Sequence, residues 1–129
     1  MDNMDRQEEL RQWFSLAEKN LIVAKHLATT LYPIQVEIIC NNCQQSVEKD
    51  FFYNEVEFPK THNLAVLIGM CANINPDFLK YEKQCKYLTS FGVLPKYPNE
   101  LQITDDDAKT AIRFAEEIKE FVVNIIQTL

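Results

Sequence analysis

The residues with the most chemical potential fall in two short polar segments. In the first, Gln45, Glu48 and Lys49 have three- and four-residue spacings that place them on one side of a helix. In the second, His62 follows Lys60 at the predicted start of another helix, where unpaired backbone amides favour anions. A histidine at this point, beside Lys60 and facing Lys49, would hold a phosphate group. The alternative for His62 is a surface or helix-capping side chain.

The first of these segments lies within CNNCQQSVEKDFF, residues 40–52, which is flanked by apolar residues and polar in its middle. Polar side chains along an otherwise apolar stripe are costly to bury unless they are paired. One interpretation is a solvated strip at the exposed edge of the helix. The others are a recessed polar pocket and a self-complementary dimer interface. The pocket and the interface place the same residues on the same stripe, so the sequence does not separate them.

Cys40 and Cys43 form a CxxC motif with His62 downstream, so a zinc site has to be considered. The spacing to Cys71 and Cys85 matches no zinc-finger pattern. Both residues of the motif fall on the apolar stripe of a predicted helix, which favours small buried thiols. We therefore expect reduced cysteines and no metal. The sequence has no Gly-rich phosphate loop, HExxH or Ser-centred nucleophile motif.

Composition is typical of one soluble globular domain, which we expect to span residues 1–129. The apolar fraction is 47% and the charged fraction 25%, and with only two glycines there is no linker-like segment. A net charge of −6 argues against generic DNA or RNA binding, because an acidic chain repels phosphate backbones. The apolar runs are too short for a membrane span, and the acidic start resembles no targeting signal, so we expect a cytoplasmic protein.

Apolar residues recur at helical spacing in five segments, and no segment has a convincing strand pattern. The predicted helices are residues 8–31, residues 33–54, a segment that begins near Thr61, residues 75–87 and a segment that begins at Thr104. We expect Thr61 and Thr104 to cap their helices, Pro33 to lie in the first turn of the second helix, and residues 89–103 to form a long loop. Helical stripes with short connections predict an all-α, up-and-down bundle of four to five helices.

The first and last helices carry extra apolar residues off their main stripes: Ile22, Val23, Phe114 and Phe121. This apolar surface exceeds what one bundle core needs, which suggests association of the chain with a partner or with itself.

Four segments in order resemble the HEPN domain family. WFSLAEKNLIVAKHL resembles its opening helix, and CNNCQQSVEKDFFY resembles its most recognisable segment, with Gln45, Glu48 and Lys49 aligned. FPKTHNLAVLI resembles its third segment, with His62 and Leu64 aligned, and PKYPNEL with DDDAKTAIRFAEEIKEFV resembles its close. The resemblance covers nearly the whole chain.

The resemblance implies an up-and-down helical bundle that commonly forms homodimers, similar to the helical domain of aminoglycoside nucleotidyltransferases. HEPN domains are proposed nucleotide binders, and small members often act beside a minimal nucleotidyltransferase, as two-component or toxin–antitoxin pairs. The family's ribonucleases carry an Arg four to six residues before a His. No arginine of this sequence stands at that distance from a histidine, so we expect no ribonuclease activity of that type.

Together, residues and resemblance predict a noncatalytic module that binds a nucleotide, with or without Mg²⁺, or a partner nucleotidyltransferase. Lys49 and His62 would contact phosphate, with Gln45 and Glu48 orienting them or bonding the ligand. Lys60 and Lys96 are weaker phosphate candidates, and Tyr97 would stack on a base or anchor its loop. Two alternatives stay open: a ribonuclease toxin that uses His62 with a lysine in place of the missing Arg, and a purely structural dimeric interaction protein.

Overall fold

A computed structural model describes residues 3–53, 63–91 and 104–127, and every regular element in these ranges is a helix. The α-helices are α1 (Asn3–Thr30), α2 (Val36–Asp50), α3 (Leu64–Ile74), α4 (Glu82–Thr89) and α5 (Asp105–Gln127), and short 3₁₀ helices follow α2 at Phe51–Tyr53 and precede α4 at Pro76–Tyr81. The predicted all-α class is confirmed.

Helices α1 and α2 form an antiparallel pair. Near the start of α1, the ring of Trp13 packs edge-on against Phe52, with centroids 4.6 Å apart. One turn further along α1, the backbone carbonyl of Ala17 accepts a 2.8 Å hydrogen bond from the Ser46 hydroxyl. Residue numbers therefore increase along α1 in the direction in which they decrease along α2, as in an antiparallel pair.

Two ion pairs show that α5 also runs antiparallel to α1. The Lys25 ammonium lies 2.9 Å from the Glu116 carboxylate, and the Lys119 ammonium pairs with Glu18. These pairs bridge the exposed edge between the two helices, where each contributes little to stability. Their value here is that they fix the register of α5 on α1.

Aromatic packing defines the direction of α4. Tyr81, just before α4, packs on Phe121 with ring centroids 4.8 Å apart, and Tyr87 packs on Phe114 with centroids 5.4 Å apart. Helix α4 is therefore antiparallel to α5. Since α1, α2, α4 and α5 alternate in direction, the predicted up-and-down bundle is confirmed, with α3 packed beside α4 and the second 3₁₀ helix.

Several predicted boundaries were wrong for local reasons. Helix α2 begins at Val36, with Gln35 at its N-cap, and not at Pro33, which follows a cis peptide bond in the connection. Helix α3 begins at Leu64, because the side chain of Asn63 accepts a 2.9 Å bond from the Ala65 amide. Thr61, the predicted cap, lies outside the described residues.

Two further boundaries differ from prediction. Helix α1 starts five residues before the predicted position 8, since its first turns are polar and give no apolar period. The predicted helix 75–87 is a 3₁₀ helix followed by α4, and Asn75 caps the 3₁₀ helix by accepting a 3.0 Å bond from the Asp77 amide.

Asp107 caps the start of α5 and ties it to α4. Its Oδ2 accepts from the Thr104 amide at 2.9 Å, and its Oδ1 accepts from the Tyr87 hydroxyl at 2.5 Å. The bonds from Thr104 and Tyr87 hold the pKa of the Asp107 carboxyl below its usual range. Thr104 was predicted to cap α5 with its own side chain. In the structure the side chain of Asp107 instead accepts a hydrogen bond from the Thr104 amide.

We expect Asp107→Ala to lower the free energy of unfolding by about 1–2 kcal/mol, since both the cap and the bond from Tyr87 are lost. The exposed neighbour Asp106 is the matched control, and Asp106→Ala should cost no more than about 0.5 kcal/mol. Urea denaturation at neutral pH measures both losses. The contribution of Asp107 is present above its unfolded pKa and fades as pH falls through its lower folded pKa. Equal losses for the two variants would contradict this assignment.

Candidate anion-binding site between helices α1 and α2

A chain of three polar side chains crosses from α2 to α1 and back. The Asn42 amide donates to the Ile38 carbonyl at 2.9 Å, and the Asn42 oxygen accepts from the Asn20 amide at 2.9 Å. The Asn20 oxygen in turn accepts from the Lys49 ammonium at 2.5 Å. We call Asn20, Asn42 and Lys49 the Asn–Asn–Lys chain.

Lys49 is the terminal donor of this chain and has spare donor capacity. An ammonium carries three N–H groups, and the bond to Asn20 uses one of them. The hydrogen-bond partner of the ammonium is the oxygen of the Asn20 amide, which carries no charge. The side chain is half-buried, and burial lowers its pKa, although the nearby charge of Glu48 acts in the opposite direction. The site therefore presents a partly desolvated cation whose partner is a neutral amide.

The other polar residues in the middle of α2 turn into the bundle. Gln44 is fully buried, and its amide donates at 3.3 Å to the carboxylate of Glu48, which is also buried. The half-buried Asn41 donates at 2.8 Å to the carbonyl of Phe91. Since Glu48 is buried and its neighbours Gln45 and Lys49 are half-buried, the interpretation of this segment as a solvated strip was wrong.

Of the predicted site residues, the structure describes Gln45, Glu48 and Lys49. Gln45 lies one turn before Lys49 on the same side of α2, whereas Glu48 is directed towards Gln44. His62, Lys60, Lys96 and Tyr97 lie outside the described residues, and their proposed roles stay predictions.

Sequence reasoning missed two members of the Asn–Asn–Lys chain. Asn20 stands three residues after Ala17 and four before Ala24, both of which are buried, so its spacing puts it on the packed face of α1. A polar residue at such a position needs a hydrogen-bonding partner. That partner, Asn42, stands in the polar segment of α2, but only the register of the helix pair shows that they meet.

Asp50, the last residue of α2 and the neighbour of Lys49 in sequence, is an acidic residue buried inside the bundle. It is 0% exposed, and neither carboxyl oxygen has a hydrogen-bond partner in the part of the chain that the structure describes. Burial raises its pKa well above the usual value, and the negative end of the helix dipole acts in the same direction. The sequence contained a signal, because Asp50 stands seven residues after the core residue Cys43 and three after Val47.

The four cysteines are buried free thiols, as predicted. Burial raises the pKa of Cys40 to about 12 and raises those of Cys43 and Cys85 further. A thiol must lose its proton to bind zinc. Within the described residues, no group of three His, Cys, Asp or Glu side chains is placed to hold a metal ion.

The fold and site define an all-α, up-and-down bundle whose first two helices share a lysine-terminated polar chain. The family model of the HEPN domain matches residues 10–126, and the chain belongs to the HEPN domain family. The match includes both helices of the site and supports a nucleotide-related helical module. No curated protein and no solved structure matches the chain.

Among the described residues, no helix has the length and apolarity that crossing a membrane would require.

We expect Asp50→Asn to stabilise the protein increasingly as pH rises. A carboxyl whose folded pKa is raised contributes full stability below its unfolded pKa, near 3.8, and loses it as pH rises through the folded pKa. The variant cannot ionise, so its advantage over wild type should grow by up to about 1.4 kcal/mol per pH unit in that window and then level off.

Urea denaturation between pH 4 and pH 8 measures this difference. The exposed Asp106→Asn is the control, and its difference from wild type should change little over the range. A constant difference for Asp50→Asn would show that Asp50 titrates normally in the folded protein.

Proposed function

We propose that this domain is a noncatalytic nucleotide-binding module in which Lys49 contacts a phosphate group of the ligand. Lys49 carries the proposal. Its side chain is half-buried and donates to a neutral amide, and it has further N–H donors that no described residue uses. The family match to HEPN adds independent support for a nucleotide-related role.

Electrostatics favour an anion at this position over a neutral ligand. A cation that has lost part of its hydration gains more from an anionic partner than an exposed one does, because screening by water is weaker. Hydrogen bonds between ammonium and phosphate oxygens are also shorter and stronger than neutral ones. The net charge of −6 opposes a free triphosphate at long range, so we expect Mg²⁺, which neutralises part of the ligand's charge, to favour binding.

The remaining ligand contacts are assigned from sequence. Gln45, which is half-buried one turn before Lys49, would bond the same ligand. His62, Lys60 and Lys96 would supply further phosphate contacts, and Tyr97 would stack on a base. In the two-component arrangement implied by the family resemblance, a partner nucleotidyltransferase in the cytoplasm would act on or share this ligand.

A second candidate, a structural homodimer, is favoured by apolar side chains around the Asn–Asn–Lys chain. Leu16, Val23 and Ile38 are each 43% exposed. Each lies one helical turn from Asn20 or Asn42 and so borders the same surface. A second copy of the chain would cover these residues and leave the polar groups at a dimer interface.

The proposed function is tested by thermal-shift titration with ATP, GTP, CTP, UTP and their diphosphates, with and without Mg²⁺. A ligand that binds only the folded state raises the melting temperature by mass action. We expect a saturable shift for at least one nucleotide that is lost in Lys49→Ala and in His62→Ala.

Lys119→Ala is the matched control, because Lys119 is also half-buried but already pairs with Glu18. The shift should persist in that variant. No shift of wild type with any nucleotide would refute the proposal. Cleavage of a defined RNA by wild type, abolished in His62→Ala, would replace it with the ribonuclease alternative.

The dimer candidate makes a separate prediction for sedimentation velocity. If two copies meet on the surface around Asn20, wild type should sediment as a dimer and Val23→Glu as a monomer. Leu79→Glu, which charges an exposed apolar residue outside that surface, should stay dimeric. A monomeric wild type, or a dimer that survives Val23→Glu, would reject this interface.

A further inference from the structure

We infer that Asn20 is the positioning residue of the anion site, and that its neutral amide is what keeps Lys49 selective for an anionic ligand. This inference rests on the proposed function, since it concerns the same site. It adds a residue of α1 to a site that the sequence placed on α2 and the segments after it.

The orientation of the Asn20 amide is fixed by its two hydrogen bonds. Its nitrogen donates to the Asn42 oxygen at 2.9 Å, and its oxygen accepts from Lys49 at 2.5 Å. The Asn42 oxygen is itself fixed, because its amide nitrogen donates to the Ile38 carbonyl at 2.9 Å. Rotating the Asn20 amide by half a turn would place its oxygen against the Asn42 oxygen and its nitrogen against the Lys49 ammonium, so both hydrogen bonds would be lost. The Lys49 ammonium therefore has one well-defined acceptor.

The Asn20 oxygen restrains the flexible side chain of Lys49. Lysine has a four-carbon stem with large rotamer entropy, and most of that freedom is lost when the ammonium is held. Holding it before the ligand arrives means that binding does not have to order it again. Asn20 on α1 thus prepares a cation that belongs to α2.

Two lysines of this protein differ in the charge of the side chain that accepts their hydrogen bond. Lys49 and Lys119 are the two half-buried lysines among the described residues. Lys119 pairs with the carboxylate of Glu18, which neutralises it. Lys49 pairs with an amide of nearly the same shape as a carboxylate, which accepts one hydrogen bond without neutralising the ammonium, while the charge of Glu48 acts on it from nearby. A ligand with at least two anionic oxygens, such as a phosphate group, matches the charge and the remaining donors.

The inference is tested with Asn20→Asp and Asn20→Ala, using isothermal titration with the magnesium complexes of ATP, GTP, CTP and UTP. Asn20→Asp should weaken binding by about tenfold or more, because the new carboxylate competes with phosphate for Lys49. Without ligand, the new ion pair with Lys49 is opposed by the loss of the hydrogen-bond donor to the Asn42 oxygen, so the melting temperature of this variant serves only to show that it folds. Asn20→Ala should weaken binding by a smaller factor, through loss of positioning.

A second measurement does not depend on any ligand. In NMR spectra of lysine-labelled protein, the pKa of Lys49 should be higher in Asn20→Asp than in wild type, because an adjacent carboxylate favours the charged ammonium. In Asn20→Ala the ε-methylene signals of Lys49 should show greater motion. Lys119, next to its own carboxylate, should not change in either variant.

The outcomes separate the two claims. Nucleotide binding by Asn20→Asp within twofold of wild type would overturn the inference while leaving the proposed function in place. If wild type binds no nucleotide, the proposed function fails, and the NMR arm decides the inference alone. Unchanged Lys49 titration and motion in both variants would then overturn it, whereas the expected changes would uphold Asn20 as the residue that positions Lys49.

Discussion

The structure depends on how α2 satisfies its polar side chains while it is packed on several sides. The helix contacts α1, α3, α4 and α5, and its buried residues include Gln44, Ser46, Glu48 and Asp50. Polar groups taken from water must find partners inside the protein or lose their charge. Ser46 bonds to the backbone of α1 and Gln44 to Glu48. The bond from Ser46 fixes the register of α2 on α1, and the candidate anion site lies where that register leaves one cation partly paired.

Two successive residues at the end of α2 meet this requirement in opposite ways. Lys49 reaches outward to Asn20 and keeps its charge, because it stays half-buried and a neutral acceptor is available. Asp50 is fully buried without a hydrogen-bond partner among the described residues, and burial raises its pKa, which favours the neutral carboxyl. Consecutive helical residues point about 100° apart, so one step along the chain separates a half-buried cation from a buried acid.

Much of the fold could be predicted from the sequence, because apolar spacing reports which face of a helix is covered. The stripe through Val36, Cys40, Cys43 and Val47 is buried as its period indicated. Helix ends were less predictable, since Asn63 and Asp107 cap their helices through side-chain bonds that several neighbouring polar residues could have made. Capping is a local competition, and it leaves little trace in hydrophobic periodicity.

The site was predictable in part for the same reason. Lys49 stood out on α2 because a charged residue interrupted an apolar stripe and matched the HEPN pattern. Asn20 did not, because its role exists only once α1 and α2 lie antiparallel with Ala17 opposite Ser46. A contact between side chains 29 positions apart in sequence depends on that register, which one sequence does not display.

The central claim is that a nucleotide phosphate binds at the Lys49 end of the Asn–Asn–Lys chain. The most direct measurement is a ¹H–¹⁵N NMR titration with nucleotides that follows the side-chain amide signals of Asn20 and Asn42. The account predicts that both pairs of signals shift saturably, together with backbone amides of residues 45–49. If these signals stay in place while others move, for example near Lys119 and Glu18, the ligand binds elsewhere and the account is wrong.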